Sequence, residues 1–167
     1  MILLDEDFND GFPSEWSIDN DGNTDDTWKC ITERGGESLD GTPFMIVDSD
    51  DAGSGVDLEE EMITPKLINI PELSPEQSLI LSFTHYFNYS YYDEAKIMIF
   101  NGSNWITLKT YSSDQGSSLS SPTEETFDIT DYINDELQIS FLYYDEGTWA
   151  WYWAVDNVKI EIVDSEI

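Results

Sequence analysis

The fold is decided by the stretch Trp149-Ala-Trp-Tyr-Trp-Ala-Val-Asp-Asn-Val-Lys-Ile-Glu-Ile-Val163. In its second half, apolar residues alternate with Lys159 and Glu161, which predicts a β-strand with one face toward solvent. In its first half, both faces of an extended chain carry large or apolar side chains, which is typical of a strand in the middle of a sheet. The stretch therefore predicts a long strand that anchors a β-sheet.

A polar pair, Asp156 and Asn157, interrupts this apolar run. Burying a carboxylate without a partner costs several kcal/mol of folding free energy. The chain has 36 acidic residues against 6 lysines and arginines, so few basic side chains are available as partners. Calcium prefers carboxylate and carbonyl oxygens, and we expect Asp156 to bind a structural Ca2+ ion. The alternative is an Asp156 capped by backbone donors, with the other acids solvated.

Short extended segments recur outward from this stretch. Asn101-Gly102 predicts a tight hairpin, residues 112–123 are serine-rich and predict a flexible loop, and no segment shows a sustained helical period. The pattern predicts an all-β chain folded as an antiparallel sandwich or barrel. The clearest predicted strands cover residues 44–47, 59–64, 78–88, 94–100, 104–109 and 136–144.

The net charge of -30 restricts the partners of the chain. Binding to phosphate groups depends on clusters of lysine and arginine, so this composition excludes nucleic acid and disfavours anionic lipid surfaces. No apolar run approaches the ~20 residues that a membrane helix needs, which predicts no membrane insertion. Cations are the favoured ligands of such a surface.

A chain of 167 residues fits one domain with a substantial core, which we predict at residues 1–163 with a tail at 164–167. Cys30 is the only cysteine, so the domain has no internal disulfide. Secreted domains often use disulfides, so their absence either points inside the cell or means that a bound metal ion and the size of the core supply the stability. The amino terminus lacks the pattern of a signal peptide, and we expect the domain to be excised from a longer protein.

Sequence motifs of catalysis are absent. The single histidine, His85, and the serines form no recognisable nucleophile motif, and no glycine-rich phosphate loop occurs. No pair among the 36 acidic residues stands out as the two carboxylates of a glycoside hydrolase. The sequence therefore predicts a protein that is not an enzyme.

Aromatic residues cluster in two places, and the candidate ligand-binding side chains among them are Tyr91, Tyr92, Trp149 and Trp151. Exposed tryptophan and tyrosine rings stack on sugars and anchor protein interfaces. The competing interpretation is that most of the rings in the two clusters belong to the core of the sandwich, which needs large side chains.

An ordered set of short elements resembles a known family from about Leu4 to Val163. It is similar to the cleaved-adhesin and "choice-of-anchor J" domains, to the adhesin modules of gingipain-type bacterial proteases and, more distantly, to MAM domains. The resemblance implies a single jelly-roll β-sandwich on an extracellular or cell-surface protein. The elements are Pro13-Ser-Glu-Trp16, Asp19-Asn-Asp-Gly22, Trp28, Met62-Ile-Thr-Pro65 and Trp153-Ala-Val-Asp-Asn-Val158.

The resemblance also implies calcium where the acidic first strand meets the loop before the Thr-Pro strand and the Asp of the last strand. Asp5, Asp51 and Asp57 are further acids that could serve. The implied function is calcium-stabilised adhesion or binding of a surface protein or glycan, and the alternative is a carbohydrate-binding module of a secreted enzyme with exposed Trp and Tyr. The implied calcium ligands are Glu6, Asp7, Asp48, Asp50 and Asp156.

Overall fold

A computed structural model describes residues 1–21 and 25–165 and shows an all-β fold. Over those residues, one short helix, α1 (Ser49–Ala52), follows the fourth strand, and a 3-10 turn covers Thr130–Tyr132. No described helix is long and apolar enough to cross a membrane. The strands are β1 (Ile2–Glu6), β2 (Ser17–Asn20), β3 (Lys29–Ile31), β4 (Phe44–Asp48), β5 (Glu59–Ile63), β6 (Gln77–Phe87), β7 (Glu94–Phe100), β8 (Trp105–Tyr111), β9 (Thr123–Asp128), β10 (Ile139–Tyr144) and β11 (Tyr152–Asp164).

The strands form two sheets that pack face to face. Sheet A has the order β3-β4-β11-β6-β9, with β1 also paired to β11, and sheet B has the order β2-β5-β10-β7-β8. The strand pairs of both sheets are antiparallel, and most neighbours are distant in sequence. The chain is therefore a jelly-roll β-sandwich, as predicted.

Trp153 of β11 lies at the centre of the main core between the sheets. It is fully buried, and its ring contacts those of Trp28, Phe87 and Phe141. Its indole Nε1–H donates a hydrogen bond to Nδ1 of His85 at 3.0 Å, which satisfies the buried polar group. Burial lowers the pKa of His85 to about 3, so the ring is neutral and belongs to the core.

A smaller apolar cluster lies on the outer face of sheet A. Tyr86 of β6 and Tyr152 of β11 meet there with ring centroids 5.5 Å apart. The serine-rich segment at residues 112–122 crosses this face and buries Leu119 completely. The predicted flexible loop is therefore packed, because one leucine anchors it against the tyrosines.

The chain ends lie at one pole of the sandwich, and two of its turns lie at the opposite pole. The amino group of Met1 donates a hydrogen bond to the Ile162 carbonyl at 2.9 Å, so both ends of the described chain lie at one pole. The strand β11 continues to Asp164, the first residue of the predicted tail, and residues 166–167 lie outside the described chain. The turns between β6 and β7 and between β10 and β11 lie at the opposite pole, where Trp153 pairs with Phe87.

The predicted strand starts too early at Trp149, since β11 begins at Tyr152. The backbone before Tyr152 bonds to α1 instead of to a neighbouring strand. The Ala150 N–H donates to Ser49 Oγ at 3.0 Å, and the Asp50 N–H donates to the Trp151 carbonyl at 3.0 Å. Trp149 and Trp151 therefore lie in a loop and not in the middle of a sheet.

Candidate functional site

The first candidate site lies where one edge of β11 changes partner. Along this edge β11 pairs with β4 in its first half and with β1 in its second half. Asp156 and Asn157 fall between the two, and Asn157 has a left-handed φ of 53°. The register with β6 on the other edge also shifts after Asp156, so the pair forms a β-bulge.

The bulge reverses which residues of β11 face the main core. Before it, Trp153 and Val155 face the core, and after it, Val158 and Ile160 do, so the alternation changes phase by one residue. Asp156 therefore points to the outer face of sheet A. The phase change is visible in the sequence and is the signal from which a bulge could have been predicted.

Asp156 is fully buried although it points away from the main core. Its Oδ1 accepts a hydrogen bond from the Asn157 N–H at 2.8 Å, and its Oδ2 has no hydrogen-bond partner. Burial, together with the negative charges of Asp40 and Asp7, raises the pKa of Asp156 to about 8. Without a cation, this carboxyl group therefore holds a proton at neutral pH.

Asp40 is the second carboxylate of the site, and sequence reasoning missed it. It lies between β3 and β4, and its Oδ2 accepts a hydrogen bond from Asn157 Nδ2 at 3.1 Å. Its Oδ1 accepts bonds from the backbone N–H and hydroxyl of Thr42, and its carboxyl group is close enough to that of Asp156 for each to affect the pKa of the other. Burial opposes it, but the bonds from Thr42 and Asn157 lower the pKa of Asp40. The Asp-Gly-Thr turn was its only sequence signal.

Glu6 and Asp7 close the site on the side of β1. Glu6 accepts a backbone N–H at 2.7 Å, and burial raises its pKa. Asp7 accepts two hydrogen bonds from Asn9, both at 3.0 Å. The pKa of Cys30 is raised by burial and by the charges of Asp156 and Glu6, which places both acids near the thiol. The set Glu6, Asp7, Asp40, Asp156 and Asn157 is called the bulge site below.

The other two predicted calcium ligands, Asp48 and Asp50, do not belong to the bulge site. Asp48 pairs with Tyr152, four residues along β11 from Asp156, which is roughly 13 Å in a strand. The guanidinium of Arg34 bonds to Asp48 at 2.6 Å and to Asp50 at 2.8 Å and lies 4.1 Å from the centroid of the Tyr152 ring. The structure therefore places the five predicted ligands in two groups, because antiparallel pairing takes the end of β4 to the start of β11.

Arg34, Asp48 and Asp50 are called the Arg34 cluster below. Over residues 1–21 and 25–165, no bulge-site carboxylate forms an ion pair with a basic side chain. Within the same residues, no three acidic, cysteine or histidine side chains already surround one point as metal ligands do. The bulge site is thus a close pair of carboxylates, Asp40 and Asp156, with further acids beside it.

The four predicted ligand-binding aromatics all lie at the pole opposite the chain ends, called the aromatic pole below. Their exposed fractions are 82% for Tyr91, 65% for Tyr92, 64% for Trp149 and 46% for Trp151. The competing interpretation, that most of the clustered rings are buried in the core, is confirmed for Tyr86, Phe87, Tyr143 and Tyr152 but not for these four rings. Their exposure follows from the loops that carry them, which precede β7 and β11.

Comparison with known proteins gives a match in structure and none in sequence. No family model and no curated protein matches the chain. The K1 cleaved adhesin domain of Lys-gingipain from Porphyromonas gingivalis W83 matches with a TM-score of 0.69 at 17% identity, covering 95% of this chain and 96% of that one.

Two carbohydrate-binding modules also match. TmCBM61, solved in complex with β-1,4-galactotriose, has a TM-score of 0.64 at 10% identity and covers 96% of this chain and 98% of its own. The CBM22-1 xylan-binding domain of Xyn10C from Paenibacillus barcinonensis has a TM-score of 0.56 at 13% identity and covers 99% and 97%. At such identities the likeness concerns the fold. The predicted resemblance is confirmed at that level: this chain has the jelly-roll fold of the cleaved adhesin domains.

Proposed function

We propose that the chain is a non-catalytic, calcium-stabilised binding module of an extracellular or cell-surface protein, and that it binds a surface protein or a glycan with its aromatic pole. The observation that carries the proposal is the exposure of Tyr91, Tyr92, Trp149 and Trp151 on one pole. Exposed apolar patches on a stable fold mark binding surfaces, and aromatic rings are their usual anchors.

The calcium part of the proposal is supported by the buried, unpartnered Oδ2 of Asp156. A Ca2+ ion takes six to eight oxygen ligands and accepts irregular geometry. Asp156 and Asp40 would hold it, with Asp7, Glu6 and backbone carbonyls completing the shell. The ion would supply the positive charge that the bulge site lacks, and it would tie β1, β11 and the segment before β4 together.

An extracellular location fits this site. Calcium modules outside cells bind with Kd values of ~10⁻⁴–10⁻³ M, because calcium is plentiful there. A binding role without catalysis fits the burial of His85, whose ring is hydrogen-bonded to Trp153 inside the core and is not exposed to a ligand.

Adhesion of coated beads tests the binding proposal without knowledge of the ligand. Beads carrying the 167-residue chain are washed over surfaces coated with polysaccharides or with extracellular matrix proteins, in calcium. We expect retention on at least one surface and its loss in a variant with Tyr91, Tyr92, Trp149 and Trp151 all replaced by Ala. The control is Trp105→Ala, which removes an exposed tryptophan from the opposite pole. If beads carrying the fourfold variant are still retained on that surface, the proposal is contradicted.

A carbohydrate-binding module of a secreted enzyme is the second candidate function. It is favoured by the hydroxyl and carboxylate groups of Ser112, Ser113 and Asp114, which lie beside Tyr91 at the aromatic pole. Sugars need both an aromatic face and polar partners, whereas a protein anchor needs mainly the former.

A further inference from the structure

Tyr91 has a strained backbone that turns its ring outward. Its φ of 73° is left-handed, which is uncommon and strained for a bulky residue. The turn is fixed from below by Asp93, which is almost fully buried and accepts bonds from the Ser90 N–H at 3.0 Å and the Tyr143 hydroxyl at 2.9 Å. The Tyr91 ring is therefore exposed on a rigid support and not on a loose loop.

A cleft of about 330 Å³ lies beside this ring. Its aromatic wall is formed by Tyr89 and Tyr91, whose ring centroids are 5.0 Å apart. Its polar wall is formed by Ser112, Ser113 and Asp114, and Asp114 Oδ1 accepts the Tyr89 N–H at 2.8 Å. An aromatic wall facing hydroxyl and carboxylate groups matches a pyranose ring, which has an apolar face and a rim of hydroxyl groups.

A second cleft, of about 250 Å³, is lined by Trp149, Ala150, Trp151 and Asp50. The ring of Trp149 is held in place because its Nε1–H donates to Asp50 Oδ1 at 2.9 Å. Asp50 is in turn bonded to Arg34 at 2.8 Å. The side chain that forms this cleft is therefore also preorganised, which lowers the entropy cost of binding.

The two clefts are neighbours along one rim. The Asn88 N–H donates to the Tyr152 carbonyl at 3.2 Å, and these residues directly precede Tyr89 and follow Trp151 in the chain. A ligand that fills one cleft therefore extends naturally toward the other. This arrangement favours a chain of several sugar units over a single sugar.

Charge narrows the class of sugar. The chain carries a net charge of -30, and no basic residue belongs to the described lining of either cleft. Asp114 adds negative charge at the first cleft, whereas the charge of Asp50 at the second cleft is offset by Arg34. Uronic acids and sulfated sugars would be repelled, whereas neutral sugars would not be.

We propose that the aromatic pole binds a neutral oligosaccharide across two subsites, one at Tyr89, Tyr91 and Asp114 and the other at Trp149 and Trp151. The proposal rests on the binding function proposed above and names its ligand class. A protein ligand is the competing occupant of the same surface.

Isothermal titration calorimetry with β-1,4-linked xylo-, cello- and galacto-oligosaccharides, from disaccharide to hexasaccharide, tests the proposal. We expect affinity for at least one series to rise with length, because longer chains reach both subsites. Tyr91→Gly and Trp149→Ala should each lower the affinity of the hexasaccharide by ~10-fold or more. Glycine suits the left-handed backbone at position 91, so Tyr91→Gly removes the ring without unfolding the turn.

The matched control is Trp105→Ala, which should change affinity by less than ~2-fold. An oligogalacturonate hexamer should not bind. The proposal is overturned if no neutral oligosaccharide binds, if only one of the two variants lowers affinity, or if the oligogalacturonate binds as tightly. If the beads adhere only to protein-coated surfaces, this proposal is overturned and the proposed binding function stands. If replacing the aromatic residues leaves adhesion unchanged, both are overturned.

Discussion

The bulge site and the Arg34 cluster are two groups of carboxylates along the same strand, and they differ in where their positive charge comes from. In the Arg34 cluster, one guanidinium bonds to Asp48 and Asp50 and stacks on Tyr152. In the bulge site, Asp156 is more deeply buried, yet the described residues bring no basic side chain to it. The negative charge of an acidic group can thus be balanced by a basic side chain of the same chain, or by a cation bound from solution.

The comparison also separates burial from charge. Asp48 and Asp50 are partly exposed and paired, whereas Asp156 is buried with Oδ2 unpartnered and its pKa raised to about 8. A buried carboxylate without a partner is the less stable arrangement. We therefore expect an added ion to stabilise the protein most at the bulge site, which lacks a cation of its own.

The largest expected effect is the loss of unfolding free energy when calcium is removed, and this loss should depend on the bulge site and not on the Arg34 cluster. With calcium at about 100 times its Kd, binding adds ~2.7 kcal/mol of unfolding free energy, or about 5–10 °C in Tm for a domain of this size. We expect Asp156→Asn to abolish this shift and Asp48→Asn to leave it intact. Thermal melts in EDTA, calcium and magnesium measure it. A shift that Asp156→Asn preserves would place the ion elsewhere.

Arg34→Ala should give the next largest effect. It leaves Asp48 and Asp50 without their cation and removes the contact with Tyr152, at a cost of about 1–2 kcal/mol. Lys66→Ala is the matched control, since it breaks an exposed pair with Glu136 and should cost less than ~0.5 kcal/mol. Urea denaturation gives both values, and equal losses in the two variants would contradict the comparison.

The stability of the calcium-free protein should fall as pH rises from about 5 to 8. The folded pKa of Asp156 is about 8 and that of an unfolded Asp is ~3.9, so between them the folded state holds the extra proton and loses stability as it is titrated. Glu60, which is buried and whose pKa burial also raises to about 8, acts in the same direction.

Saturating calcium should remove the Asp156 part of this fall, because the ion favours the charged carboxylate. Asp156→Asn should reduce the fall in the calcium-free protein, and Glu60→Gln should reduce the remainder. Melts at several pH values with and without calcium measure these slopes. A slope that calcium and Asp156→Asn both leave unchanged would remove Asp156 from the explanation.

Glu61→Lys should give the smallest effect and extend the comparison to a third acidic group. Asp19 on β2 lies directly opposite Glu61 on β5, and like charges opposite each other in a sheet are destabilising. A lysine there gives the pair a cation from the chain, and we expect a gain of about 0.5 kcal/mol by urea denaturation. A loss of stability would show that the acidic pair is not a source of strain.

Much of the fold could be predicted because alternation along a strand is a local signal. The antiparallel jelly roll, most of its strands and the polar interruption at Asp156 are all visible in short windows of sequence. The start of β11 could not be predicted from a short window of sequence, because it depends on hydrogen bonds of Ala150 and Trp151 with the α1 segment about 100 residues earlier in the chain.

The same distinction applies to the candidate sites. Asp40 was missed because its partner Asn157 is 117 residues away. Asp48 and Asp50 were placed with Asp156 on the family resemblance, which does not reveal that Arg34 binds them in this chain. The exposed aromatics at positions 91 and 149 were selected by clustering, whereas Asp114, whose bond to Tyr89 is what makes it part of a cleft, carries no local signal.

The pairing of β1 with the end of β11 sets how the domain responds to mechanical load. Both ends of the described chain lie at one pole, so a force that draws them apart opens the β1–β11 hydrogen bonds one after another, beginning at Met1. Such unzipping needs less force than shearing many bonds at once. The β1–β11 pairing ends at Glu6, near the bulge site, where a bound ion would hold β1 to the rest of the domain. Under load, β1 would detach and extend first, while the loops of the aromatic pole would stay folded.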